Sequence, residues 1–209
     1  ELVVNYAGGE KSAAPVHGTW LLICKNDGAV TSRLQPLIDW RKRKGYPVYV
    51  ATTAETGTSK EAIKAYITNA FNTWENPPEH VILAGDAGGT YGIPTWYEGI
   101  SGYGGEGDHP YTTLVGNDVL ADVHLGRFSF ETLTELETIV AKQVGYESTP
   151  YMADTSWYGR ACLVGDPSSS GYSCVQVQQW IKQRLQQLGY ADIDTVFGGS
   201  YVSQMTAAL

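Results

Sequence analysis

Short apolar runs alternate with amphipathic stretches along most of this chain, and that alternation decides the fold class. Trp20-Leu21-Leu22-Ile23-Cys24 is continuously apolar, the mark of a strand buried on both faces. Val48-Tyr49-Val50, His80 to Ala84, Val123 to Phe128, Ala161 to Gly165 and Ile193 to Phe197 read as further strands. Between them the apolar spacing becomes helical. Ser32 to Lys44 sets Leu34, Leu37 and Ile38 on one side and ends at Gly45, with Pro36 tolerable because it falls near the first turn. Ile63, Tyr66, Ile67, Ala70, Phe71 and Trp74 follow a Thr58–Glu61 capping box, and Pro77 and Pro78 stop that helix. Thr132 with Glu135 caps a helix through Leu136, Ile139, Val140 and Val144, and another runs from about Ser173 to Leu188. Strands and helices taken in turn predict an α/β layered fold with a mainly parallel sheet.

Composition excludes several classes of function. The 209 residues are 43% hydrophobic and 17% charged, which is a folding chain and not a disordered one. No apolar run approaches the roughly 18 residues of a membrane-spanning helix. Fourteen Lys and Arg against 22 Asp and Glu leave a formal charge of −8, the wrong sign for a nucleic-acid or anionic-membrane partner. Cys24, Cys162 and Cys174 are too few for a disulfide scaffold; the first two fall in apolar runs and read as core residues. Cys174 stands at a helix N-terminus, where a thiol pKa can fall. None of His17, His80, His109 and His124 sits at an evident strand end beside it, so it reads as buried or half-buried.

The polar features gather in loops. Ala87 to Gly107 holds eight glycines in 21 residues and reads as a long ordered loop or hairpin. It lacks Gly-Lys-Ser/Thr, and Glu106 and Asp108 would repel phosphate, so it is no nucleotide loop. Arg41-Lys42-Arg43-Lys44 complements the macrodipole at a helix C-terminus. Asp108-His109, Gly116-Asn117-Asp118 and Asp122 crowd a turn leading into a strand. Such carboxylates suit calcium, or they make ordinary turn hydrogen bonds. Asp86 and Asp166 each follow a strand at its carboxyl end, where sites of open α/β sheets form; either could orient a catalytic His or cap its loop.

The ordered series Val81-Ile82-Leu83-Ala84-Gly85-Asp86, Gly92-Ile93-Pro94, Asp108-His109-Pro110-Tyr111, Gly116-Asn117-Asp118 and Asp122 to Ser129 resembles the gingipain family of cysteine peptidases. Asp39-Trp40 before Lys44-Gly45, and Gln187-Leu188-Gly189-Tyr190 before a strand, extend the likeness from about residue 19 to the end. The resemblance implies a three-layer caspase-like α/β fold with two subdomains, a Cys-His dyad, an acid orienting the His, peptide-bond cleavage, structural calcium and export to the bacterial surface or medium. Under it, 1–18 is a leader or edge segment, 19–152 the complete first subdomain, and 153–209 the truncated start of the second, catalytic one. The family's Gly-His-Gly segment and its Cys would fall past Leu209, making the remaining C-terminal part of the catalytic domain the expected partner. Glu1 opens no signal peptide, so an export signal would already have been removed or would lie upstream of Glu1.

Carried over residue by residue, the resemblance leaves Asp166 as the acid orienting the missing His, with Ser168 as an alternative position. It makes Asp118, Asp122 and Asp108 the expected calcium ligands. Arg-specific members carry an acid near the position of Ser173 and Cys174; Ser170 to Val175 has none here, which leaves preference for a basic P1 residue open. The competing reading is a non-catalytic, calcium-stabilised binding or assembly module on the same fold. A flavodoxin-like domain would need a phosphate loop after the first strand, which Lys25-Asn26-Asp27-Gly28 does not provide.

Overall fold

A computed structural model describes residues 17–100, 103–168 and 172–208, so nearly all of the expected leader segment 1–18 lies outside the described residues. The chain divides into two compact units, Glu1–Thr149 and Pro150–Leu209. Among the described residues no helix is long and apolar enough to cross a membrane.

In unit 1, β1 (Thr19–Cys24) is buried along its whole length. It leads into α1 (Gly28–Arg43), β2 (Val48–Thr52), the single turn α2 (Thr53–Thr56), α3 (Lys60–Thr73) and β3 (Pro78–Ala84). β4 (Trp96–Ile100), β5 (Tyr103–Gly107), β6 (His124–Phe128) and α4 (Leu133–Ser148) complete the unit. β2, β1, β3 and β6 form one sheet in that order, every neighbouring pair parallel. The two-residue period of β1 sends Trp20, Leu22 and Cys24 to one face, where they pack with Leu34 and Leu37 of α1 and Leu136 and Val140 of α4. Leu21 and Ile23 face the other way, onto Ile63 and Ile67 of α3. The result is a helix–sheet–helix sandwich, as the alternation of patterns predicts.

Two helix starts differ from the sequence expectation. α1 begins at Gly28, because Asp27 Oδ1 accepts the Ala29 and Val30 N–H groups at 2.7 and 3.4 Å. Pro36 therefore lies in the helix interior rather than the first turn, and it costs the backbone bond that its missing N–H would make. α3 is capped by Ser59, whose hydroxyl accepts the Ala62 N–H at 3.1 Å, and not by a Thr58–Glu61 box. At α4 the Thr132–Glu135 box forms as expected. α1 is also tied to α4. Glu147 accepts from Arg41 at 2.7 and 3.0 Å, Lys44 at 2.7 Å and Trp40 Nε1 at 3.0 Å, so the basic run grips a carboxylate besides facing the helix dipole. Partial burial works to raise the Glu147 pKa, but the three donors outweigh it and bring it down to about 2.

Unit 2 contains β7 (Arg160–Val164), α5 (Tyr172–Gln187), β8 (Asp192–Val196) and α6 (Tyr201–Ala208), with β7 and β8 parallel. Cys162, expected in the core, is exposed; so is Cys174, expected to be at least half-buried. Burial in β7 alternates, with Ala161 and Leu163 half-buried and Cys162 on the open side. An apolar run is covered on both faces only inside a layered sheet. Only Val175 of α5 is buried among its described residues, which leaves Cys174 one position away on the open side. Cys24 is buried as expected, and burial, with the Asp27 charge, pushes its thiol up to about 12.

Candidate functional site

The carboxyl end of the unit 1 sheet is where the polar residues meet. β3 ends at Ala84, and Gly85 N–H extends the pairing by donating to Phe128 O at 3.0 Å. The chain then turns back over the strand end, held by Ile93 N–H on Asp86 O at 2.8 Å. Gly85 has φ +152°, and a Cβ there would overlap the Tyr91 carbonyl oxygen, so only glycine lets the loop close this tightly. The glycine-rich stretch after it folds as an antiparallel hairpin of β4 and β5. Tyr111, fully buried beneath the loop, donates its hydroxyl to Pro94 O at 2.6 Å.

Arg127 in β6 binds these pieces together. Its Nε and Nη2 donate to Asp108 Oδ2 and Oδ1, both at 2.7 Å, and its Nη1 donates to Gly85 O at 2.7 Å and Ile93 O at 2.8 Å. Thr95 Oγ1 donates to Asp108 Oδ1 at 2.6 Å. Burial pushes the Asp108 carboxyl upward, but the Arg127 and Thr95 bonds win and hold it below the usual carboxylate range. A polar cavity of about 210 Å³ lies here, lined by Asp86, Thr95, Glu106, Asp108, Arg127 and Ser129. Sequence reasoning missed Arg127. A signal existed: an arginine inside a sheet strand needs an acceptor, and Asp108 lies 19 residues before it.

The expected calcium ligands do not converge. Asp108 faces Arg127, whereas Asp118 Oδ1 accepts the Leu120 N–H at 2.9 Å and Asp122 Oδ2 accepts those of Leu114 and Val115 at 2.6 and 2.9 Å. The two backbone N–H groups hold the Asp122 carboxyl below its ordinary range. Among the described residues no three His, Cys, Asp or Glu side chains form a metal-binding group. The donor chemistry of the 114–122 loop suits a hard cation, but its geometry here is that of turn hydrogen bonds.

In unit 2, Asp166 follows β7 at its carboxyl end. Its Oδ1 accepts the Ser168 N–H and its Oδ2 the Ser168 hydroxyl, both at 2.8 Å, and these bonds lower its pKa. It is an exposed, ionised carboxylate at neutral pH. Unit 2 holds Cys162 and Cys174 but no histidine. In unit 1, His80 and His124 stack at 5.1 Å near the amino ends of β3 and β6, away from the polar cavity, and His109 Nε2 meets Val119 O at 3.0 Å. Buried Cys24, with its raised thiol pKa, is a poor nucleophile.

Comparison with known proteins supplies the lineage. Gingipain R2 of Porphyromonas gingivalis is 29% identical over 172 residues, which cover 77% of this chain and 22% of that protein. Lys-gingipain of the same organism is 28% identical over 174 residues, 77% of this chain and 9% of its own length. Among solved structures, the complex of Porphyromonas gingivalis RgpB pro- and mature domains superposes with a TM-score of 0.72 at 24% identity, over 88% of this chain and 43% of that one. The crystal structure of the Arg specific cysteine proteinase gingipain R gives 0.71 at 22% identity, over 90% and 44%. The shared fold is the caspase-like α/β arrangement with a mainly parallel sheet. This chain spans about a fifth or less of the curated relatives and under half of the solved chains. Residues 15–208 match peptidase family C25 from nearly one end of the sequence to the other, and the chain belongs to that family.

Proposed function

We propose that this chain is the N-terminal part of the catalytic domain of an exported, gingipain-like cysteine endopeptidase acting on protein or peptide substrates. The observation that carries the proposal is the family match over residues 15–208. The catalytic Cys and His belong to the remaining C-terminal part of the domain, which is the partner this chain requires. Unit 2 supports that division. Its two-stranded parallel sheet and its helices leave Val164, Val177, Trp180 and Val202 exposed, and parallel sheets normally bury such surface on both faces.

In this reading a thiolate adds to the scissile carbonyl and backbone N–H groups hold the oxyanion. The imidazolium then gives its proton to the leaving amine, and water releases the acyl group. Asp166 is the group that orients the imidazole, exchanging a bond to Ser168 for one to a ring N–H. Calcium belongs to the proposal as a structural ion. Asp118 and Asp122 would hold it on the 114–122 loop by giving up their turn bonds, while Asp108 stays with Arg127.

The full-length protein should hydrolyse peptide amides under reducing conditions, and iodoacetamide should abolish that activity. Asp166→Asn should lower kcat about tenfold or more and shift the acidic limb of the pH profile, because the ring loses its anionic partner. Thiol-independent hydrolysis, or none, would refute the peptidase reading.

A further inference from the structure

The two-residue period puts His80 and Ile82 of β3, with His124, Gly126 and Phe128 of β6, on the sheet face that α1 and α4 cover. Gly126 is the position in that row without a side chain, and a Cβ there would stand 3.4 Å from Ile82 Cδ1. A cavity of about 270 Å³ lies here, near the amino ends of the strands and wholly within unit 1. Trp20, Ile82 and Phe128 supply apolar lining; Arg41, His80 and His124 supply basic lining. Tyr46 and Gln143 add a hydroxyl and an amide. Among the described residues no Asp or Glu lines it, although the chain carries a net charge of −8.

The groups around this cavity are short of negative charge. Arg41 is 12% exposed and gives its two terminal nitrogens to Glu147, yet its Nε–H is buried with no hydrogen-bond partner among the described residues. A buried donor without an acceptor is costly, the more so on a charged group. Glu147 also serves Lys44, so one carboxylate answers two cations. His80 and His124 are paired in register, with rings stacked at 5.1 Å. Glu79 Oε1 lies 3.6 Å from His80 Nε2, but Glu79 is outside the lining and accepts the Gly18 N–H at 2.9 Å. The Tyr46 ring meets His80 edge-on at 5.8 Å and stacks on His17. Burial lowers the His80 pKa; Glu79 works against it, and His124, Arg41 and His17 lower it further. An anion beside these groups relieves their mutual repulsion, whereas a metal cation adds to it. Nor do three His, Cys, Asp or Glu side chains form a metal-binding group among the described residues.

From this geometry we infer that the amino end of the unit 1 sheet is a binding site for a small organic carboxylate. The anionic head sits against Arg41, His80 and His124, and the apolar body lies over Trp20, Ile82 and Phe128 in the room that Gly126 leaves. His124 is exposed, so the site is open to solvent. The volume admits a ligand of about one ring and no more. The inference is independent of the peptidase reading, since every residue it uses belongs to unit 1.

The test titrates the full-length protein with benzoate, a carboxylate that stays ionised from about pH 5.5 to about pH 8. Calorimetry at the lower pH should give a Kd of about 1 mM or tighter, the scale for a ligand this small. Affinity should fall about tenfold at the higher pH, because the imidazoles lose their charge while the ligand keeps its own. Benzamide, the neutral isostere, and acetate, which lacks the ring, should each bind about tenfold more weakly or worse. His124→Gln removes a charge at an exposed position and Gly126→Val fills the cavity; each should weaken benzoate about tenfold at the lower pH. Should Gly126→Val fail to fold, His124→Gln decides alone. No benzoate binding at the lower pH, or equal affinity in His124→Gln and wild type, overturns the site. Benzamide binding as tightly as benzoate overturns the anionic head, and acetate binding as tightly overturns the apolar body. Zinc bound by the wild type and lost in His124→Gln, without any response to benzoate, overturns the carboxylate in favour of a metal.

Discussion

Glu147 shows what a single residue does for unit 1. It collects four hydrogen bonds from Trp40, Arg41 and Lys44 across a separation of more than 100 residues, joining the end of α1 to the end of α4. Glu147→Gln should lower the unfolding free energy by about 2 kcal/mol, the scale of hydrogen bonds to a charged group. Its folded pKa of about 2 lies below the ordinary 4.5, so an unfolded chain takes up the proton first. The contribution is complete above pH 4.5 and drains away as pH falls from 4.5 toward 2. Denaturant unfolding of both proteins between those limits checks this: the variant should lose that part of the pH slope. The basic run was visible in the sequence as a helix C-terminus, but its acidic partner was not, because sequence spacing says nothing about contacts between distant helices. The pairing of Arg127 with Asp108 escaped because spacing is equally silent about a strand and a distant loop. Cys162 was misread because apolar neighbours imply burial only where a second layer exists to supply it, and Cys174 because the lack of a neighbouring histidine says nothing about burial.

At the scale of elements the sequence was far more legible. All four strands of the unit 1 sheet were legible, β1 most clearly, because a parallel strand covered on both faces is apolar nearly throughout. The Thr132–Glu135 cap was equally readable, whereas Asp27 and Ser59 compete with neighbouring polar residues and the cap goes to whichever side chain reaches the free N–H groups. The β4–β5 hairpin could be placed only as loop or hairpin, since glycines carry no side-chain period. Gly85→Ala should cost several kcal/mol, about 3 or more, because its Cβ would overlap the Tyr91 carbonyl and force the loop off the strand end. Thermal melting with a Gly88→Ala control, where nothing lies within 4 Å, separates that clash from the general effect of replacing glycine. For the 114–122 loop, the proposed calcium should raise Tm by several degrees, about 4, in the wild-type protein and by less in Asp118→Asn or Asp122→Asn. No difference between them would remove calcium from this loop.

At the scale of the whole molecule, the family match and the architecture agree on the α/β fold of peptidase family C25. Nothing in the alternation of strands and helices could have revealed the family; it came from the order of short motifs from Val81 to Ser129. The central claim is that the nucleophile is none of Cys24, Cys162 and Cys174. Cys24 is buried with a raised pKa, and unit 2 offers its two cysteines no histidine of its own. The most direct measurement is to alkylate the active full-length protein with iodoacetamide to the point of inactivation and locate the modified cysteine by peptide mass spectrometry. The account predicts that inactivation tracks modification of a cysteine C-terminal to Leu209, with Cys24 unmodified. Inactivation that tracks Cys174 or Cys162 instead would contradict it.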